Sequence, residues 1–179
     1  IINGLSPSSH PTQVLSDIFT IQEIKKKSIS KLKLCWIGDA NNNMMNSLIE
    51  ACIKFSVSLN IACPKSYQPN KMLISLIKKQ KGKIKIFNKK EIAVKNSDVV
   101  MTDKIISLND KVNKKKKLKS FENFKVDKKT MNLAKKDAIF LHCLPRGNEV
   151  TEEVFLGKQS RVWQQALNRV YVQKSILLY

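Results

Sequence analysis

No apolar run in these 179 residues approaches the roughly 20 needed to cross a bilayer, so no membrane helix is expected. Ile1 to Ser9 has neither the charged start of a signal peptide nor the character of a transit peptide, and there is no initiator Met. The start therefore reads as a cut. The cysteines Cys35, Cys52, Cys63 and Cys143 show no C-x-x-C pairing, which argues against structural zinc or thiol redox work. Three of them lie in or beside apolar stretches, where a free Cys behaves as a small buried hydrophobe. A reducing, cytoplasmic setting is the simpler expectation. Linkers rich in Pro, Gly or Ser are absent, as are internal repeats, so one domain over residues 1–179 is expected.

Acidic residues are few: 14 against 33 Lys and Arg, a formal charge of +19. Such a field attracts polyanions, and nucleic acid is one reading. The excess, however, is mostly Lys spread over many segments, with few Arg and no interleaved aromatics for base stacking. A solvated surface serving a charged small substrate is favoured over a nucleic-acid partner.

Five short apolar runs read as strands: Lys33 to Ile37, Ser58 to Cys63, Lys83 to Phe87, Asp98 to Thr102 and Ala138 to Leu144. Most are nearly continuous in apolar residues, as strands covered on both faces are. Between them, Asn43 to Phe55 and Asn70 to Lys79 carry apolar residues at helical spacing. The alternation predicts an α/β fold: a doubly wound, mostly parallel five-stranded sheet with flanking helices, Rossmann-like in outline. Pro11 to Ile24 and Gln164 to Leu178 read as helices before and after the sheet, with Pro11 in the first turn and His10 at the N-cap. Ser107 to Phe124 loses periodicity and carries a Lys run, so it reads as a long surface loop.

In such sheets ligands sit beyond the carboxyl ends of the strands. Those ends are polar here: Asp39, Asn41 and Asn42 after the first, Asp103 and Ser107 after the fourth, His142, Cys143, Pro145 and Arg146 after the fifth. His10 and Gln13 open the first helix, and Asn168 and Arg169 lie on the last. Chemically this suits a small zwitterion beside an anion. Asn42 and Ser107 can hydrogen-bond a carboxylate, Asp103 can pair an ammonium, and Arg169 can hold a carboxylate or phosphate in a fork. His10, at a helix N-terminus, can meet an oxyanion. Each residue also has a plainer reading: Asp39 and Asn42 as helix caps, His10 as an N-cap, Cys143 as a core thiol, Asp103 as a turn residue. Gly38 lies in WIGDANNN, which lacks the G-x-G-x-x-G spacing of a dinucleotide site.

The strings themselves carry a resemblance. HPTQVLSDIFTIQE at His10 to Glu23 resembles the H-P-x-Q segment of the aspartate and ornithine carbamoyltransferases. WIGDANN at Trp36 to Asn42, FLHCLPRGNEVTEEVF at Phe140 to Phe155 and VWQQALNRVYVQKSIL at Val162 to Leu177 look specifically like the ornithine branch. The resemblance covers essentially the whole chain, in order. It implies carbamoyl transfer from carbamoyl phosphate to the δ-amino group of ornithine, giving citrulline and phosphate. Neither metal nor organic cofactor is implied, and the family is commonly trimeric through its other domain.

Position by position, the resemblance places His10 and Gln13 on the carbamoyl group, with His10 polarising its oxygen. Asn42 falls on the ornithine α-carboxylate and Asp103 on the amino acid's amino group. Ser107 and Leu108 belong to a loop that closes over ornithine, Cys143 and Leu144 line the place where amine meets carbamoyl carbon, and Arg169 contacts carbamoyl phosphate. The attacking amine must be neutral, with Asp103 and Cys143 the groups placed to influence its proton. Three departures stand out: S-M-G is Ser107-Leu108-Asn109, A-E-N-R is Ala166-Leu167-Asn168-Arg169, and the N-terminal domain with its S-T-R-T-R phosphate loop is not among these residues. A carbamoyltransferase for another amine and a non-catalytic binding module remain as alternatives.

Overall fold

The computed structural model describes residues 1–79, 83–106 and 113–179. Five strands, β1 (Lys33–Ile37), β2 (Ser58–Ala62), β3 (Ile84–Phe87), β4 (Val99–Thr102) and β5 (Ile139–His142), form one sheet in the order β3-β2-β1-β4-β5, every pairing parallel. All five expected strands are present. β5 is shorter than its apolar run, which frees Cys143 and Leu144 from the sheet.

Alternate residues along each strand face opposite layers, as a pleat requires. Leu34, Trp36, Val99, Met101, Ile139 and Leu141 belong to one core with residues of α1 (Pro11–Lys25), α2 (Asn43–Lys54) and α3 (Lys71–Lys78). Cys35, Ile37, Val100 and Phe140 belong to a second core with α4 (Lys90–Val94), α6 (Lys128–Leu133) and α7 (Glu152–Phe155). Burial on both faces is why the strands are continuously apolar. α8 (Val162–Leu178) packs along α1 and touches β5.

The expected surface loop needs correction where it is described. Lys114–Ser120 forms a helix, α5, capped by the Asn113 side chain, which accepts from Lys116 N at 3.2 Å, and Glu122–Phe124 adds a 3-10 turn. Phe121 and Phe124 anchor this segment in the second core. The rest of that expectation, with Ser107 and Leu108, lies outside the described residues.

From β1 the chain winds outward to β2 and β3, then returns to place β4 on β1's other side. The reversal opens a crevice at the carboxyl ends of β1 and β4, the position where open α/β sheets bind ligands. Among the described residues no helix is long and apolar enough to cross a membrane, and no cluster of His, Cys, Asp and Glu is placed to hold a metal.

Candidate active site at the carboxyl ends of the strands

The turn after β1 starts at Gly38, whose φ of 146° is rarely open to a side chain; a Cβ there would also lie 3.3 Å from Thr102 Oγ1. Asp39 follows, nearly buried. Its Oδ1 accepts from Asn41 N at 2.9 Å, and its Oδ2 pairs with Lys117 Nζ of α5 at 2.7 Å, both side chains about 5% exposed. Lys117 also lies over the Tyr67 ring, 5.6 Å from its centroid. Asn42 is the N-cap of α2, its Oδ1 accepting from Met45 N at 2.8 Å, so the plain capping reading holds for that oxygen. Its Nδ2, engaged by no described residue, stays available to a carboxylate.

Beyond β4, Asp103 Oδ1 accepts from Lys104 N at 2.7 Å, and the Cys143 thiol, which follows β5, is near enough for the two groups to influence each other's protonation. Burial raises the Asp103 carboxyl above its ordinary range. Burial and the nearby charges of Asp103 and Asp17 push the Cys143 thiol well up, so it is a protonated donor, not a thiolate nucleophile. Leu144 holds a positive φ of 56° before a cis bond to Pro145. His142 sets this turn: its Nδ1 accepts from Leu144 N at 2.9 Å, so the ring proton is on Nε2 and is donated to Glu149 Oε1 at 2.9 Å. Glu149 Oε1 also accepts from Gly147 N.

α1 and α8 supply the remaining wall. His10 is 8% exposed, and its Nδ1 meets Gly4 O at 2.7 Å. Because a carbonyl only accepts, that nitrogen carries a proton. Burial and Arg169 lower the His10 pKa, so the neutral ring leaves Nε2 as an acceptor, and it meets an oxyanion only as the imidazolium. Gln13 Nε2 donates to Asp17 Oδ1 at 2.8 Å, whereas its Oε1 is buried with no partner among the described residues. Arg169 of α8 bears electrostatically on both His10 and Asp17.

Gln13 bonds Asp17 directly, Asp103, Cys143 and Arg169 are near enough to bear on Asp17 electrostatically, and His10 is coupled to this group through Arg169; Asp17 itself is not singled out by the sequence. Asn42, on the turn after β1, bonds none of these residues, and Leu144 follows Cys143. Lys117, Glu149 and Gln165 were also missed. The only signal for Asp17 was its position four residues after Gln13, one turn along a helix.

Residues 30–179 match the family described as aspartate/ornithine carbamoyltransferase, Asp/Orn binding domain. The chain belongs to that family. Among curated relatives it is 42% identical to an ornithine carbamoyltransferase of Staphylothermus marinus, over 99% of this chain and 58% of that protein. It superposes on the anabolic ornithine carbamoyltransferase of Campylobacter jejuni with a TM-score of 0.90 at 42% identity, covering 99% of this chain and 60% of the other. Against the Pyrococcus furiosus ornithine carbamoyltransferase the values are 0.87, 37%, 97% and 57%. The chain therefore spans about three-fifths of the length of the relatives it matches.

Proposed function

We propose that this chain is the ornithine-binding half of an ornithine carbamoyltransferase, which transfers the carbamoyl group of carbamoyl phosphate to the δ-amino group of ornithine. The observation that carries the reading is the convergence of Asp103 and Cys143 from two strand ends with Gln13, His10 and Arg169 from two helices. Asp103 receives the amino acid's ammonium, and the Nδ2 of Asn42 faces its carboxylate. Ser107 and Leu108 are assigned to the same substrate by resemblance alone, as is Leu144 beside Cys143. Gln13 Oε1, a buried acceptor without a donor, suits the carbamoyl N–H2, and Arg169 suits the phosphate end.

In the reaction the δ-ammonium first gives up a proton to solvent. The neutral amine then attacks the carbamoyl carbon, forming the C–N bond; the C–O bond to phosphate breaks, and the nitrogen sheds its second proton to the departing phosphate. Negative charge on the carbonyl oxygen in the tetrahedral state favours the His10 imidazolium, the form that donates from Nε2. The protein's part is to orient two substrates and complete their hydrogen bonds, with no metal or cofactor assigned to the chemistry.

The complete protein is proposed to add a carbamoyl-phosphate domain, a reading supported by the three-fifths span and by an uncovered apolar groove. Leu15 and Phe19 of α1 and Tyr171 and Ile176 of α8 line that groove. We place the enzyme in the cytoplasm as a homotrimer joined through that other domain. Its likeness to a relative named anabolic favours arginine biosynthesis. The test is citrulline formation by the complete protein. Turnover with ornithine well above that with other amines is expected; a preference for another amine, or no transfer at all, overturns the assignment.

A further inference from the structure

Asp17 lies in the middle of α1, 1% exposed, and its Oδ1 accepts from two side-chain amides: Gln13 Nε2 at 2.8 Å and Gln165 Nε2 at 2.7 Å. Gln165 Oε1 in turn accepts from the backbone N of His142 at 2.9 Å. One unbroken chain of hydrogen bonds therefore joins α1, α8 and the end of β5, and passes through a single carboxylate. Its other oxygen, Oδ2, is buried without a partner among the described residues, as is Gln13 Oε1.

A side-chain amide offers a donor at one end and an acceptor at the other, and little but its neighbours decides which end faces which way. An ionised carboxylate only accepts, so beside Asp17 both glutamines must turn their N–H2 groups inward and their carbonyl oxygens outward. For Gln165 the outward oxygen meets the His142 N–H. For Gln13 it meets no protein donor. We infer that Asp17 is a positioning residue for carbamoyl transfer: it fixes the Gln13 carbonyl toward the carbamoyl N–H2 and, through Gln165, fixes the end of β5 that presents Cys143. The inference rests on the transferase reading above.

The buried charge fits a functional role better than a structural one. Burial outweighs the two amide hydrogen bonds and pushes the Asp17 carboxyl up to about 6, with Asp103 adding to the rise and Arg169 opposing it. A residue kept for stability alone has no need of an unpaired carboxylate oxygen in a closed interior; Asn fills the same space without the charge.

Asp17→Asn is the decisive variant, since its amide can rotate to offer either a donor or an acceptor and so no longer dictates how Gln13 stands. In the complete protein, Asp17→Asn is expected to melt no lower than the parent, while kcat/KM for carbamoyl phosphate falls about 10- to 100-fold, the scale of one misaligned charge-assisted hydrogen bond. Gln13→Ala is expected to lose a similar factor, and the double variant little more than either, because Asp17 acts largely through Gln13. Unchanged kcat/KM in Asp17→Asn overturns the inference. So does a loss that tracks a lowered melting temperature, or losses that multiply in the double variant. A parent protein that makes no citrulline overturns the transferase reading instead, before any variant is compared.

Discussion

Lys117→Met removes one partner of an ion pair that ties α5 to the turn after β1. Lys117 and Asp39 are 5% and 6% exposed at the side chain and 2.7 Å apart, so little solvent screens the charge left behind. Breaking one side of a buried pair costs about 3–5 kcal/mol, because the remaining charge stays desolvated. For a protein of this size that corresponds to a fall of roughly 6–20 °C in melting temperature. The geometry also limits the damage. Asp39 Oδ1 still accepts from Asn41 N, so adding Asp39→Asn keeps that bond while removing the stranded charge. The double variant Asp39→Asn/Lys117→Met is therefore expected to melt higher than Lys117→Met alone, a coupling of about 1–3 kcal/mol. Thermal melts of the four proteins, with citrulline assays at saturating and limiting ornithine, complete the cycle. Because the turn held by Asp39 presents Asn42, the ornithine KM should rise in Lys117→Met and recover in Lys117→Arg. A melting shift below about 2 °C, the size of a solvent-exposed pair's contribution, would refute the reasoning.

Cys143 should resist alkylation near neutral pH, since its thiol is held well above the ordinary range by burial, Asp103 and Asp17. Asp103→Asn should speed the reaction with iodoacetamide, and an unchanged rate would show that Asp103 does not act on the thiol. Cys143→Ala should depress turnover more than melting temperature; the reverse would make Cys143 a core residue only. Glu149 gives a pH test. Burial alone would raise its carboxyl, but hydrogen bonds from His142 and Gly147 hold it below the usual range. A depressed folded pKa contributes stability above the unfolded value of about 4.3 and loses it as pH falls. Glu149→Gln should thus be less stable than the parent at neutral pH, with the gap closing in acid; a gap that persists at low pH would point to packing instead.

The sheet was legible because strands buried on both faces must be apolar at nearly every position, as Cys35, Trp36 and Ile37 are. Helices α1, α2, α3 and α8 were legible from periodicity and from caps such as Asn42 and Asn70. The short helices α4, α6 and α7 give periodicity too little length to register. α5 was hidden by its composition: in the run Lys114 to Lys117 nothing local marks Lys117 as the buried member, because its partners Asp39 and Tyr67 lie far upstream in the chain. The motif residues His10, Gln13, Asp103, Cys143 and Arg169 could be named from the sequence, yet their common centre could not. Asp17 looks like an ordinary polar residue within α1 until α8 packs against that helix and brings Gln165 within 2.7 Å.

The central proposal is that Asp103 holds the ammonium of ornithine. Steady-state citrulline formation by the complete protein carrying Asp103→Asn tests it most directly. Removing the carboxylate that pairs a desolvated ammonium should raise the ornithine KM about 100-fold, while the carbamoyl phosphate KM stays within a factor of about three of the parent's on the same arithmetic. An ornithine KM that does not move, or a rise confined to carbamoyl phosphate, would contradict the account.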